Sequence, residues 1–214
     1  MTAWEVLFRR HLGEANGRKL LDMASGTGEI ARLCQRLGFT VTGLDWAEPM
    51  LAKARAKLPK VTFLQADAEH PMLPECSMDV IVTRHLVWTL VDPAAAFAAW
   101  HRTLVPGGQL LLVDGDFVSR SMLVRLLERF GSTPTANRNL AWHRSILSRV
   151  HFSNGARAKA VVALLAAAGF TDITVDKRLD AIHRAQAREL GWKKAFRRRS
   201  EHRYAISARK LSSE

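Results

Sequence analysis

The chain has 214 residues, of which 48% are hydrophobic and 24% charged, and its formal net charge is +12. This length and apolar content predict one domain over residues 1–214, with a single sizeable core. No apolar run approaches the roughly 18 residues of a membrane-spanning helix, and charges interrupt the N-terminus where a secretory signal would be apolar. The sequence therefore predicts a cytoplasmic protein with no membrane span.

Apolar runs alternate with helical patterns from residue 19 onward, which predicts an α/β sheet covered by helices on both faces. Helices are expected at Glu29–Leu37, through Met50–Leu58, and after Asp92, the expected N-cap of a helix with Pro93 at its first position. We expect Pro106-Gly107-Gly108 to break the last of these helices and turn the chain into a strand. The first five predicted strands are Lys19–Met23, Thr40–Asp45, Val61–Ala66, Met78–Thr83 and Gln109–Asp114.

The alternation lapses over residues 115–155, which predicts a helical insert with an amphipathic helix at Ser119–Phe130. The apolar side of that helix is a candidate lid or homodimer face. The α/β order then resumes with a helix at Lys159–Ala168, ended by Gly169, and a sixth strand at Ile173–Leu179. A seventh strand closes the predicted sheet at Tyr204–Lys210.

The segment before the last strand is too short for a long crossover helix, so we expect an antiparallel hairpin at the sheet edge. This part of the chain is also strongly basic. Between Lys177 and Lys210, twelve Lys and Arg residues stand against three acidic ones, a net charge of +9. Such a segment could attract nucleic acid, anionic lipid or an acidic substrate, or it could be a solvated basic helix and loop.

Neither the cysteines nor the histidines form a metal-binding pattern. Cys34 and Cys76 are far apart and are expected to be reduced thiols, and the eight histidines are scattered. The sequence therefore predicts no metal site.

The most informative stretch runs from Leu20 to Glu29, where a buried strand ends in a turn of small residues and a helix begins at once. A ligand can lie against this turn because Ala24, Gly26 and Gly28 have little or no side chain. The helix N-terminus adds free N–H groups and partial positive charge. The stretch therefore predicts a binding site at the carboxyl end of the first strand.

Two ligands compete for this turn. The pattern Gly26-x-Gly28-x-x-Ala31, with Asp45 at the end of the next strand, also fits the loose dinucleotide fingerprint of an NAD dehydrogenase. A nucleoside sulfonium is favoured by Asp22, which is placed to accept from an amino group. It is also favoured by Asp67 at the end of the third strand, where an acid could accept from an adenine amino group, and by the antiparallel final hairpin.

Five segments together resemble the motifs of class I S-adenosylmethionine-dependent methyltransferases of the small-molecule type, often grouped as "type 11". The resemblance covers Leu20–Asp114 strongly and the final strand more weakly. It implies a Rossmann-like, doubly wound, seven-stranded sheet with an antiparallel last strand. It also implies methyl transfer by in-line displacement from S-adenosyl-L-methionine to O, N or C of a small-molecule acceptor. The segments are LDMASGTGE, GLDWAEPML, QADAEHPMLPECSMDVIVTRHLVWTL, WHRTLVPGGQLLLVD and HRYAISARK.

Position by position, the resemblance implies three groups of cofactor contacts. The methionine part would meet Asp22, Ala24 and Gly26, with Gly28 keeping the turn tight. The ribose and adenine would meet Asp45, Trp46, Asp67 and Ala68, and Thr83 or Arg84 would approach the amino group through the backbone. Two features depart from the family: Ala24 replaces its first glycine, and only about eighteen residues precede the first strand. The second feature suggests either a reduced lid or a natural chain that begins earlier than this sequence.

The acceptor site is expected beside the fourth and fifth strands. His85 follows the fourth strand and is the candidate acid–base or acceptor-orienting residue, although it could instead pack in its loop. Trp88 could wall the acceptor or belong to the core, and Asp114 could bind the acceptor or cap a turn. Arg84 could hold an acidic acceptor, and His143 could reach the pocket from the insert.

Other functions remain open from the sequence. The cluster of Lys193, Lys194 and Arg197–Arg199 would suit an RNA methyltransferase. A non-catalytic, cofactor-binding scaffold is a second alternative, and the NAD dehydrogenase is a third. The acidic residues of the expected cofactor site argue against a pure scaffold, which would have no need of them.

Overall fold

The computed structural model describes residues 2–116, 149–179 and 202–212, and its strands form one sheet. The strands are β1 (Lys19–Met23), β2 (Thr40–Asp45), β3 (Thr62–Gln65), β4 (Met78–Arg84), β5 (Leu104–Asp116), β6 (Phe170–Asp176) and β7 (His202–Lys210). The helices are α1 (Ala3–Leu12), α2 (Glu29–Arg36), α3 (Glu48–Lys57), α4 (Pro93–Thr103) and α5 (Ala158–Ala167), and Val87–Thr89 forms a 3₁₀ turn.

The sheet order is β3-β2-β1-β4-β5-β7-β6. Strands β1 to β5 pair in parallel, whereas β7 is antiparallel to both β5 and β6. The chain moves outward from β1 to β3 and then returns to place β4 on the other side of β1. In such sheets, ligands bind at the carboxyl ends of the strands beside this reversal. The topology therefore places a binding crevice above the ends of β1 and β4.

Two hydrophobic layers cover the sheet. Helices α1, α2 and α3 pack on one face, and α4 and α5 on the other. Alternate residues of β1 serve the two layers, with Leu20 in the first and Leu21 and Met23 in the second. Both faces of the central strands are thus buried, which is why their sequences read as continuous apolar runs.

The predicted architecture is confirmed, with helices on both faces and an antiparallel last strand. The bounds predicted for β1 and β2 match the structure, those for β3 are one residue too long at each end, and the one for the end of β4 is one residue too short. Asp92 caps α4 as predicted, because its carboxylate accepts the N–H of Ala95 at 3.0 Å.

The predicted start of β5 was wrong. The strand begins at Leu104, directly after α4, and pairs with Met78 before the Pro106-Gly107-Gly108 segment. The register then jumps to Val80 opposite Gln109, so the extra residues form a bulge. A Cβ at Gly108 would lie 2.7 Å from the carbonyl oxygen of Val105, so this bulge has room only for glycine.

The bounds of β6 were also wrong, since the strand is Phe170–Asp176 rather than Ile173–Leu179. It is an edge strand with an irregular register against β7, and most of its side chains are not buried. Its sequence therefore lacks the apolar run that marks the central strands. Strand β7 starts at His202, two residues earlier than predicted, because it continues to pair with β5 up to Asp116.

Helix α1 was not predicted. Thr2 and Glu5 form a reciprocal capping box, in which the Thr2 hydroxyl accepts the Glu5 N–H at 3.2 Å and the Glu5 carboxylate accepts the Thr2 N–H at 2.7 Å. The Thr-x-x-Glu spacing in the sequence is typical of the start of a helix. Leu7, Phe8 and Leu12 then pack α1 on the sheet.

Several predictions fall outside the described residues. They include the helix at Ser119–Phe130, most of the 115–155 insert, His143, and the Lys193–Arg199 cluster. Within the described part of the chain, no helix is both long and apolar enough to cross a membrane. Cys34 is buried and Cys76 is exposed, and neither forms a disulfide.

Candidate active site

The turn between β1 and α2 follows the expected tight path. Ala24 has φ +59° and Gly26 has φ +54°, both in the left-handed region. The Ser25 N–H donates to the Leu44 carbonyl at 2.9 Å, which ties the turn to β2. A Cβ at Gly26 would have no described atom within 4 Å, so the turn faces open space there. A ligand can therefore approach the backbone at Gly26.

Asp45, at the end of β2, holds this turn in place through hydrogen bonds. One of its carboxylate oxygens accepts the Gly26 N–H at 2.7 Å, and the other accepts the Ala47 N–H at 2.8 Å. The neighbouring Trp46 side chain is 75% exposed. The predicted ribose acid and the predicted adenine neighbour thus lie at the same sheet edge as the turn.

Three buried polar atoms lie at or just after the carboxyl ends of β1 and β4. Asp22 Oδ2, Ser25 Oγ and Thr83 Oγ1 have no hydrogen-bond partner among the described residues. In the sheet register Asp22 pairs with Val82 and Met23 pairs with Thr83, so the Asp22 and Thr83 side chains leave opposite faces of the sheet. Buried polar atoms are nearly always hydrogen-bonded in folded proteins, so these atoms without partners point to a polar ligand at this edge.

Asp22 has an unusual electrostatic environment. Burial raises the pKa of its carboxyl to about 8, and the nearby Asp45 charge also raises it. The Ala31 N–H and the Arg84 guanidinium act in the opposite direction. The Arg84 guanidinium lies over the Trp4 ring of α1, at 4.8 Å from its centroid. Helix α1 thus contributes an aromatic side chain beside this site, which the sequence interpretation missed.

The loop after β3 carries Asp67 and Ala68. Asp67 Oδ1 accepts the Glu69 N–H at 2.9 Å, and the Ala68 carbonyl accepts the indole N–H of Trp100 at 2.7 Å. The Ala66 N–H donates to the Asp45 carbonyl at 3.1 Å, which connects this loop to the end of β2. The structure therefore brings both predicted adenine-edge residues to the same sheet edge as Asp45.

The loop after β4 carries His85 and Trp88, both half-buried. His85 has φ +59°, and its N–H donates to the Val113 carbonyl at 3.1 Å. Asp114 Oδ2 accepts the Val87 N–H at 2.7 Å and Oδ1 accepts the Gly115 N–H at 2.8 Å. Burial raises the Asp114 pKa to about 7, although these backbone hydrogen bonds oppose the rise. Asp114 thus braces the turn that carries the candidate acceptor residues.

A cavity of about 930 Å³ lies elsewhere, between α1 and strands β6 and β7, and contains none of the predicted site residues. Asp176 lies in it and accepts from Arg10 at 2.9 Å and from Arg178 at 3.1 Å. The pair with Arg10 joins α1 to the end of β6. We assign Asp176 a structural role in this cavity, because both arginines bond to it.

Gly43 is a site residue that the sequence interpretation missed. A Cβ there would lie 2.4 Å from Cδ1 of the buried Phe63 and 3.1 Å from Ser25 Oγ. We expect Gly43→Ala to lower the free energy of unfolding by about 1–3 kcal/mol, because the core must move to admit the methyl group. Urea unfolding would measure this loss. Adding Phe63→Leu should recover part of it, and strictly additive losses would contradict the proposed clash.

Ala24 carries backbone strain that glycine would not. We expect Ala24→Gly to raise the free energy of unfolding by about 1 kcal/mol, which corresponds to a melting temperature higher by about 2–4 °C. The matched variant Gly26→Ala should change stability in the opposite direction, since Gly26 has a similar φ and open space around it. Thermal melts of both variants check this pair, and a destabilised Ala24→Gly would contradict the expectation.

Comparisons with known proteins agree with this arrangement. Residues 21–112 match the family described as "Methyltransferase domain". The demethylmenaquinone methyltransferase of Thermus thermophilus is 31% identical over 168 residues, which cover 72% of this chain and 74% of that protein. The enzyme of the same name from Chlorobaculum tepidum is 35% identical over 120 residues, 56% of this chain and 49% of the relative. The malonyl-[acyl-carrier protein] O-methyltransferase of Serratia marcescens is 37% identical over 95 residues, 44% of this chain and 37% of its own.

Solved structures share the fold. An S-adenosylmethionine-dependent methyltransferase from Mesorhizobium loti has a TM-score of 0.69 and 21% identity, with 98% of each chain covered. A phosphoethanolamine N-methyltransferase from Haemonchus contortus, in complex with S-adenosylhomocysteine, has a TM-score of 0.70 and 17% identity. That match covers 98% of this chain and 52% of the Haemonchus chain. With its turn, sheet order and relatives, the chain belongs to the class I S-adenosylmethionine-dependent methyltransferases.

Proposed function

We propose that the chain transfers the methyl group of S-adenosylmethionine to an O, N or C atom of a small-molecule acceptor. The observation that carries the proposal is a set of three buried atoms without partners among the described residues: Asp22 Oδ2, Ser25 Oγ and Thr83 Oγ1. They lie at or just after the carboxyl ends of β1 and β4, the sheet edge at which the backbone of Gly26 faces open space. A ligand with an amino group and hydroxyl groups would satisfy them.

The residues present fit this cofactor. Asp22 would accept from the amino group of the methionine part. Asp45 already accepts two backbone N–H groups, but each carboxylate oxygen can accept more than one hydrogen bond, so it could also hold the ribose hydroxyls. Trp46 would lie along the adenine ring, and Asp67 would accept from its amino group. The left-handed turn at Ala24 and Gly26 would leave room for the methionine chain.

The chemistry supplied by the bound cofactor is a methyl carbon activated by the adjacent positive sulfur. That carbon would be open to in-line displacement by a lone pair of the acceptor, with the electrons of the carbon–sulfur bond left on sulfur. The protein therefore has to align the acceptor and exclude water. His85 would take a proton when the acceptor loses one. Its anchored N–H, at the end of β4, fixes the backbone from which its side chain extends.

Known relatives support a small acceptor. Those described above act on demethylmenaquinone and on malonyl-[acyl-carrier protein], by their names. On this proposal, the acceptor would be surrounded by Arg84, Trp88 and Asp114. Asp114 would act indirectly, by accepting the Val87 N–H and so holding the turn in place. An acidic acceptor held by Arg84, contact from His143, homodimer formation and a cytoplasmic location stay predictions.

A second candidate function is methylation of RNA. It is favoured by the net charge of +9 between Lys177 and Lys210. The affinity of such a protein for RNA would fall steeply as the salt concentration rises. Binding releases cations from the RNA phosphates, and this release is less favourable at high salt. A scaffold that binds no cofactor fits less well, since it would have no use for buried atoms such as Asp22 Oδ2 and Thr83 Oγ1, which have no partners among the described residues.

The test is calorimetric titration with S-adenosylmethionine and S-adenosylhomocysteine, followed by a search for acceptors with radiolabelled methyl groups. Micromolar binding and label transfer to a small molecule are the expected results. Label transfer to tRNA or rRNA, with strongly salt-dependent binding, would favour the second candidate. Absence of binding to both cofactor forms by the folded protein would overturn the proposal.

A further inference from the structure

The loop at Ala66–His70 is held to helix α4 and to the residues directly before it by side-chain hydrogen bonds. The Trp100 indole N–H donates to the Ala68 carbonyl at 2.7 Å. From the loop side, Glu69 accepts the Val91 N–H at 2.6 Å and the Asp92 N–H at 2.9 Å. Three hydrogen bonds therefore tie the candidate adenine loop to the start and the body of α4.

Trp100 is well suited to hold the loop in place. Its side chain is fully buried and packs edge-on against Phe97, with the ring centroids 5.2 Å apart. A buried indole N–H needs an acceptor, and an unmade hydrogen bond there would cost more than the bond contributes. The Ala68 carbonyl therefore has one favoured position relative to the core.

Glu69, the residue after Ala68, also ties the loop to the start of α4. Its two carboxylate oxygens accept one backbone N–H each, just before the first turn of α4, where negative charge is favourable. Asp67 directly precedes both anchored residues. Its Oδ1 accepts the Glu69 N–H, and its Oδ2 lies 3.9 Å from His70 Nδ1. The position of the Asp67 carboxylate is therefore connected to the two anchors through the Glu69 N–H.

We propose that Trp100 and Glu69 are positioning residues for the adenine end of the cofactor, acting through the Ala68 carbonyl and Asp67. The inference rests on the proposed cofactor site and adds the residues that set its selectivity for the adenine amino group. Loss of either anchor lets the loop shift, which weakens the hydrogen bond from that amino group to Asp67. The residues that would contact the ribose and methionine parts lie on other loops, so their contribution to binding should change little.

The experiment compares two ligands, S-adenosylhomocysteine and S-inosylhomocysteine, in which an oxygen replaces the adenine amino group. Trp100→Phe keeps the ring in the core and removes the donor. We expect it to weaken S-adenosylhomocysteine binding about fivefold to tenfold and S-inosylhomocysteine binding less than twofold. The preference for adenine therefore falls, which a general loss of stability would not produce.

Two further variants make the result decisive. Phe170→Leu alters the same hydrophobic layer at β6, away from the loop, and should leave the preference unchanged. Glu69→Gln loses one of its two accepted N–H groups and should reduce the preference about threefold. If Trp100→Phe fails to fold, Glu69→Gln decides alone.

The outcomes separate two failures. Wild-type protein that binds neither S-adenosylmethionine nor S-adenosylhomocysteine would overturn the proposed cofactor site. Wild-type protein that binds and prefers adenine, with the same preference in the folded Trp100 and Glu69 variants, would overturn the positioning role.

Discussion

Replacement of Asp45 by alanine is expected to weaken S-adenosylhomocysteine binding by about a hundredfold or more. In the free protein, Asp45 holds the Gly26 and Ala47 N–H groups at 2.7 and 2.8 Å. On our proposal, it also accepts from the ribose hydroxyls. The substitution removes the charged hydrogen bonds to the ligand and, at the same time, releases the turn that shapes its binding surface.

Calorimetry on the wild type and two variants would measure this effect. Asp45→Asn keeps one acceptor oxygen and should lose less affinity than Asp45→Ala. The matched control is Asp79→Ala, because Asp79 also holds a backbone N–H, that of Lys19 at 2.7 Å, but at the amino end of the strands. Asp79→Ala should bind the ligand as the wild type does. Equal affinities for Asp45→Ala and the wild type would show that the ligand site lies elsewhere.

The central sheet was predictable because its strands are buried on both faces. Strands β4 and β5 contain short buried apolar runs, Val80–Val82 and Leu110–Val113, and the fold allows little else for such runs. The small residues after β1 also indicated a turn, between β1 and α2, that a ligand could approach. Edge strand β6 lacks that signal, since it is mostly unburied, so its bounds could not be placed from the pattern.

Contacts between distant parts of the chain account for what the sequence left out. Trp4 lies against Arg84, Trp100 bonds to Ala68, and Asp114 bonds to Val87. Each pair joins residues that are far apart in the chain, so no spacing in the sequence indicates that the two residues are in contact. The Thr2–Glu5 capping box is different. Its spacing is visible in the sequence and could have indicated the start of α1, although no helix was predicted there.

The affinity for S-adenosylhomocysteine should rise as the pH rises from 6 toward 8. Burial raises the pKa of Asp22 to about 8 in the free protein, so the carboxyl is mostly protonated at pH 6. The ligand's ammonium group would bind the ionised carboxylate. The association constant should therefore increase up to about tenfold per pH unit below the pKa and level off above it.

Several groups face this carboxyl and set its pKa. The Asp45 charge raises it, and the Arg84 guanidinium and the Ala31 N–H lower it. Burial is the largest cause of the raised pKa of Cys34, and the Asp22 charge adds to it, so that thiol stays protonated across this range. The pKa of Asp114, about 7, also lies within the range of the measurement. A pH dependence measured on the wild type alone would therefore mix the two carboxyls.

Asp22→Asn separates them, because it removes one titration and keeps Asp114 and the ligand unchanged. Its affinity should be lower at pH 8, and the ratio of wild-type to variant affinity should fall as the pH drops to 6. The variant should also unfold with a free energy higher by up to about 5 kcal/mol at pH 8, since each unit of the difference between the folded and unfolded pKa corresponds to about 1.4 kcal/mol. This sign follows because the folded pKa of Asp22 exceeds its unfolded value, so wild-type stability falls as the pH rises between the two values. An affinity ratio independent of pH would show that Asp22 does not meet the ligand's ammonium group. A gain in stability without that pH dependence would show only that burial of the carboxyl lowers the free energy of unfolding.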